Sequence, residues 1–337
     1  MSLILQTVEM HTAGEPVRII ADGWPRLHGT TLLEKRREAK ANHDHLRRLL
    51  MAEPRGHADM YGALLVEPDH PEAHLAVLFL HNEGYSTMCG HAVIALGRYA
   101  VDQGLVPAVE PETVVNIQCP CGLVRAIVEV TGGKAGAVRF DSVPAFAFAL
   151  DKMVETRDWG PVTVDIGYGG AFYAFLPADS IGLDVETSPI RDLTDAGEKI
   201  ALAAAEQIKL EHPEEPDLAF LYGAILTDGR DDWQAGEAGA TRNVCIFAGR
   251  QVDRSPTGSG VTARIALQHA RGLIAPGQCR LFRSVTGQDF TGEVVETTRI
   301  GRHRAVVARI GGHAYYSGTA RFTAEPDDPL RGGFLLR

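Results

Sequence analysis

Residues 249–273 read GRQVDRSPTGSGVTARIALQHARGL, and residues 81–105 read HNEGYSTMCGHAVIALGRYAVDQGL. Each is a turn-rich lead-in, then a Cys or Thr followed by glycine, then an apolar helical run that closes near Gly-Leu. Cys89 and Thr257 stand 168 residues apart, almost half of the 337-residue chain. If the two stretches are equivalent, the chain has two halves, each with one helix preceded and followed by strands.

The strand signals fit that division. Val17–Ala21, 63–68 and 75–84 precede the first helix, and the β-branched runs 113–118 and 122–130 follow it. In the second half 162–176 and 241–247 precede the helix. After it come 280–287, 292–300, 303–312 and 313–322. The helix at 90–101 is apolar on nearly every side, which suits a helix buried inside a curled sheet. Further helices are expected at 32–52 and 190–210, both charged on one side. The glycine-rich turn at 131–136 sets the expected boundary: an N-terminal lobe over 1–133 and a C-terminal lobe over 134–324. The tail of about 325–337 is expected to cross back to the first lobe.

The bulk composition narrows the function classes. A chain that is 45% hydrophobic and 23% charged, with no low-complexity tract, reads as globular. No stretch approaches the roughly 18 uninterrupted apolar residues of a membrane span, and the N-terminus lacks the basic region of a signal peptide. A net charge of −10 argues against a nucleic-acid surface. It leaves room for a small anion held by a helix end. Five cysteines, an odd number, point to reduced thiols and a cytoplasmic setting.

Both helix starts are suited to chemistry. Cys89, followed by Gly90 and His91, opens the first helix, where exposed amides and the positive end of the dipole favour a thiolate. The second start supplies Gly258, Ser259 and Gly260, whose backbone can approach a ligand closely. Asp253 lies in the loop four residues before Thr257, placed to meet a substrate ammonium. A small zwitterion fits this set, with its carboxylate on helix ends and its amine on Asp253.

MCGHAVIALGRYA (88–100) and DRSPTGSGVTAR (253–264) resemble the two signature motifs of the proline racemase family. MHTAGEPVRII (10–20), CGLVRA (121–126), VPAF (143–146), DIGYGGAFYA (165–174) and FTGEV (290–294) are similar as well, so the resemblance runs along almost the whole chain. It implies an α/β (α+β) fold of two pseudo-symmetric lobes of diaminopimelate-epimerase/proline-racemase type. Each lobe would be a curled, mainly antiparallel sheet around a central helix, with the site in the cleft. It also implies a homodimer, no cofactor, no metal and a small imino acid substrate. The family's racemases and 4-hydroxyproline epimerases use two cysteines, one on each face of Cα. Cys89 matches the first, whereas Thr257 stands where they carry the second.

A threonine hydroxyl cannot be an ionised base near neutral pH, so two-base exchange should fail. Cys89 can still remove the Cα proton, and the carbanion can expel a hydroxyl from the adjacent carbon. That matches the family's trans-3-hydroxy-L-proline dehydratases, which carry Cys in the first motif and Thr in the second; FLYGAILTD (220–228) is also closer to them. The resemblance therefore implies a lyase forming Δ1-pyrroline-2-carboxylate, with Cys89 and Thr257 catalytic. Gly90 and His91 would bind substrate beside Cys89, Asp253 the ring amine, and Gly258 with Ser259 the carboxylate. Thr257 would contact the substrate and help the hydroxyl depart. The alternative is a proline racemase or 4-hydroxyproline 2-epimerase with another acid on the Thr257 face, and a non-catalytic imino acid binder would gain nothing from the thiol.

Three other signals point elsewhere only weakly. Cys119 and Cys121 form a lone C-x-C without a second ligand pair. His43 and His45 sit on a charged helix and read as solvated. GSGVTA (258–263) matches G-x-G-x-x-A but follows a proline turn rather than a βαβ strand, so a dinucleotide site is not expected.

Overall fold

The computed structural model describes residues 3–232 and 239–336. Up to the first buried helix the elements are β1 (Leu3–Thr12), β2 (Glu15–Asp22), α1 (Leu32–Asn42), α2 (Asp44–Met51), β3 (Tyr61–Val66), β4 (Leu75–His81), β5 (Tyr85–Ser86) and α3 (Gly90–Asp102). Then come β6 (Glu112–Cys119), β7 (Gly122–Thr131), β8 (Lys134–Asp141), β9 (Ala145–Thr156), β10 (Gly160–Tyr168), β11 (Phe172–Pro177), α4 (Ile190–Gln207), β12 (Leu221–Thr227), β13 (Thr241–Phe247) and β14 (Gln251–Asp253). The second buried helix, α5 (Gly258–Ala270), precedes β15 (Arg280–Arg283), β16 (Asp289–Ile300), β17 (His303–Gly312) and β18 (Ala314–Ala324).

Two compact units result, Met1–Val138 with His313–Arg337 and Arg139–Gly312. The boundary falls within β8, not at the glycine turn before it. The chain returns to the first unit at 313 rather than about 325, because β18 pairs antiparallel with the whole of β1, from Leu3↔Ala324 to Thr12↔Ala314. The segment beyond β18 stays with that unit: Glu53 and Phe334 form an antiparallel bridge, and Arg55 pairs with Asp328 at 3.0 Å.

The units repeat one connectivity. In the first, β1–β2 is antiparallel, β2–β3 parallel, β3–β4 and β4–β5 antiparallel, β4–β6 parallel and β6–β7 antiparallel. In the second, β10–β11, β11–β12, β12–β13, β13–β14, β13–β15 and β15–β16 follow the same sequence of directions. Each first parallel step needs a crossover, which α1 and α2 supply in one unit and α4 in the other. The second unit's sheet closes on itself, because β9 pairs with both β10 and β17.

Each sheet curls around its own helix. The helix α3 packs on β1, β2, β6, β7 and β18, and α5 on β9, β10, β11, β16 and β17. In α3 every residue from Gly90 to Val101 except Arg98 is buried, and α5 is buried from Gly258 to Gln268. Gly97 permits the close fit in the first unit, since a Cβ there would meet Val138 Cγ1 at 3.0 Å.

Two expected elements are divided. The span 32–52 is two helices, broken at His43 (φ −128°, ψ 12°), where Asn42, His43 and Asp44 bring together residues of low helix propensity. The span 162–176 is an antiparallel hairpin whose strands meet at Tyr168↔Phe172, across the three-residue turn Gly169, Gly170 and Ala171. No helix among the described residues is long and apolar enough to cross a membrane.

Candidate active site

Cys89 is the N-cap of α3, with extended backbone (φ −146°, ψ 104°) and no side-chain capping bond. Its carbonyl accepts from Val93 N–H at 3.0 Å, the first helical bond. The first-turn amides therefore have no partner within the helix, and no acidic residue occupies that turn. The Cys89 Sγ lies 3.2 Å from His91 Nδ1. His91 is fixed from two sides. Thr12 Oγ1 donates to its carbonyl at 2.8 Å, and its ring stands edge-on to Tyr61 at 4.8 Å between centroids. Tyr61 is in turn hydrogen-bonded to Ser86 of β5. The structure thus gathers Cys89, Gly90 and His91 at one helix start, all of them buried.

The start of α5 is built differently. Thr257, its N-cap, has φ 64° and ψ 89°, in left-handed territory. For a β-branched residue this costs about 1–3 kcal/mol and persists only where the surroundings impose it. They do so here: Ser255 Oγ accepts from Thr257 N–H at 3.1 Å, Asn243 Nδ2 donates to the Pro256 carbonyl at 3.0 Å, and the Thr257 carbonyl accepts from Val261 N–H at 2.7 Å. The Thr257 side chain does not cap the helix. Its Oγ1 is buried without a hydrogen-bond partner, in a residue only 5% exposed. An unpaired buried hydroxyl is itself costly, so strain and an unmet hydrogen bond coincide at one residue.

Around it, Asp253 ends β14 and is buried, its Oδ1 accepting from Ser255 N–H at 2.8 Å. Gly258 and Ser259 form the first turn of α5, again with no acidic residue. A Cβ on Gly169, in the β10–β11 turn, would meet the Ser259 carbonyl oxygen at 2.2 Å. That approach seats the helix start against the sheet. Asp253, Thr257, Gly258 and Ser259 therefore share one helix start in the second unit.

One contact has no signal in the sequence spacing. The Tyr173 hydroxyl, from β11, lies 2.7 Å from Ser259 Oγ, though the residues are 86 apart. Tyr173 lies within the family-like stretch at 165–174, but nothing there marks it as a partner of Ser259.

Cys119 and Cys121 are held in the protonated thiol form. Burial pushes the Cys121 thiol up to about 12, and burial, with Cys121 and Cys89 nearby, also raises the Cys119 thiol well above its ordinary range. Among the described residues no group of three His, Cys, Asp or Glu could hold a metal ion. The G-x-G-x-x-A stretch follows a three-residue strand paired antiparallel with β13, not a βαβ unit.

The two helix starts, one per unit and each preceded by a short strand, are a duplicated feature. The sequence profile of the family described as "Proline racemase" matches residues 7–335. The chain belongs to the proline racemase family. Among its relatives in this family, "Trans-L-3-hydroxyproline dehydratase" of Xenopus tropicalis is 58% identical over 336 residues, covering 99% of this chain and 96% of that protein. "Trans-3-hydroxy-L-proline dehydratase" of Homo sapiens is 56% identical over 339 residues, covering 99% and 95%. A crystal structure of a hydroxyproline epimerase from Agrobacterium vitis with bound trans-4-OH-L-proline superposes with a TM-score of 0.92 at 29% identity, covering 99% of this chain and 95% of that one. The fold implied by the sequence motifs is shared with this hydroxyproline epimerase.

Proposed function

We propose that this chain is a hydro-lyase that dehydrates trans-3-hydroxy-L-proline to Δ1-pyrroline-2-carboxylate, a redox-neutral loss of water that needs no cofactor. Identity above 55% to dehydratases over nearly the full chain supports the activity. The observation that carries the mechanism is the pair of caps: a thiol at the start of α3 and an unpartnered threonine hydroxyl at the start of α5.

In this reading Cys89 is the base. The uncompensated positive end of α3 favours its thiolate, and His91 Nδ1 at 3.2 Å holds the sulfur in place. The amides of Gly90, Gly258 and Ser259 take the substrate carboxylate, where the charge of the carbanion also develops. Asp253 holds the ring ammonium.

The substrate's own stereochemistry assigns the rest. In trans-3-hydroxy-L-proline the hydroxyl is trans to the carboxylate and therefore cis to the Cα hydrogen. A single group on that face can take the Cα proton and return it to the departing hydroxide. Cys89 does both: the S–H bond forms as Cα–H breaks, the electron pair forms the C2–C3 double bond, and the C3–O bond breaks to release water. The enamine then tautomerises to Δ1-pyrroline-2-carboxylate. Thr257 contacts the other face, where a hydroxyl in place of a thiol supplies no acid for reprotonating Cα. This also disfavours the racemase or epimerase alternative. A reducing, cytoplasmic setting belongs to the proposal, because the reaction needs the Cys89 thiol.

Cys89→Ser tests the reading. Product formation should fall by about 10³-fold or more, with the thermal midpoint unchanged. Full activity in that variant would remove the thiolate from the mechanism.

A further inference from the structure

The Tyr173–Ser259 pair carries two hydroxyl protons and one hydrogen bond between the oxygens. One proton lies between them, and the other needs an acceptor. If Ser259 donated, the leftover proton would belong to Tyr173, whose side chain is fully buried with the Ser259 oxygen as its hydroxyl's hydrogen-bond partner. Its ring is enclosed by Tyr222, edge-on at 5.7 Å, and by Phe175. A buried donor without an acceptor is penalised. If Tyr173 donates, the leftover proton belongs to Ser259, in the first turn of α5 beside Thr257, where an anion would be held.

We propose that Tyr173 is a positioning residue that donates its proton to Ser259 Oγ and so turns the Ser259 hydroxyl into a donor toward the substrate carboxylate. The inference rests on the dehydratase reading and on Ser259 binding the carboxylate. Burial, with Cys245 and Tyr222 nearby, keeps the Tyr173 phenol protonated well above its ordinary range, so the donor persists at every working pH. Tyr173 touches no substrate in this account. It acts through one oxygen, choosing which way a neighbouring hydroxyl points.

The test is steady-state kinetics on the full chain with trans-3-hydroxy-L-proline, for wild type, Tyr173→Phe, Ser259→Ala and the double variant. Phenylalanine keeps the ring and removes only the hydroxyl. It should raise KM about 5-fold, the scale of one hydrogen bond, and lower kcat/KM by at least as much. Ser259→Ala should raise KM at least as much, and adding Tyr173→Phe to it should raise KM no further, as for two groups acting through one bond.

Equal KM effects of Tyr173→Phe with and without Ser259 would overturn the proposal. So would a lowered melting temperature with unchanged KM, which is the signature of a purely structural hydroxyl. If Tyr173→Phe does not fold, Ser259→Ala decides, and an unchanged KM there overturns the proposal. Wild-type protein that forms no product would instead overturn the dehydratase reading, and this inference with it. An active wild type with KM unmoved in the variants removes the positioning role alone.

Discussion

Thr257 sits at φ 64°, where a glycine would be at ease and a β-branched residue is not. Thr257→Gly should therefore stabilise the protein by about 1 kcal/mol, strain relief exceeding the added chain entropy, and should lower kcat/KM because the side chain that contacts the other face of the substrate is gone. A thermal melt with a parallel activity assay checks both, and a lower melting temperature would show that the strain is not there. The chemistry at this scale was largely legible in the sequence. Cys89, Gly90 and His91 are consecutive, and Asp253, Thr257, Gly258 and Ser259 fall within one run of seven residues, so local spacing exposes each group. Tyr173 was not legible as a partner, since only the fold brings it 2.7 Å from Ser259. Nor could spacing reveal the left-handed backbone of Thr257, which its hydrogen-bonded surroundings impose.

The elements that carry the site depend on close backbone approach. Gly169→Ala would place a methyl 2.2 Å from the Ser259 carbonyl oxygen, backbone that cannot swing aside. The first turn of α5 would have to shift, at a cost of about 1–3 kcal/mol. Activity should fall by more than the lost stability alone implies, because the displaced turn carries Thr257 and Ser259. Denaturant unfolding together with KM would register this, and unchanged kinetics would mean that the turn does not seat the helix start. The first buried helix was legible because it is apolar on nearly every face, and the second through its likeness to the first. The strand β1 was not singled out: its burial is irregular, with exposed and half-buried positions mixed in, and it carries Gln6 and Glu9. The break at His43 is a local matter of three poor helix formers, hidden inside a longer charged run.

For the whole molecule, acid is the expected weakness. His81, fully enclosed, is pushed down to about 3 by burial, then by Arg47 and Arg36. It stays neutral in the folded chain while the unfolded chain binds a proton near pH 6.5, so stability is lost as pH falls from about 6.5 toward 3. By pH 4.5 the loss is about 2–3 kcal/mol from this residue. His212 and His303, both also lowered chiefly by burial, act in the same direction. Melting temperature against pH, for wild type and His81→Phe, should show a shallower acid slope in the variant. Identical slopes would contradict the assignment.

At this scale the duplication was legible from one pair of 25-residue stretches, but the boundary was not. The strand β18 pairs with β1 across more than 300 residues of sequence, and no local pattern announces so distant a partner. Whether Cys89 removes the Cα proton with loss of water, as proposed, is decided by what happens to the C3 hydroxyl. The most direct measurement is to incubate purified protein with trans-3-hydroxy-L-proline in ²H₂O, without added cofactor, and follow the ring protons by NMR. The C2 and C3 methine signals should be lost together, as Δ1-pyrroline-2-carboxylate forms. Retention of the C3 hydroxyl, with deuterium entering C2 or cis-3-hydroxy-D-proline accumulating, would contradict it.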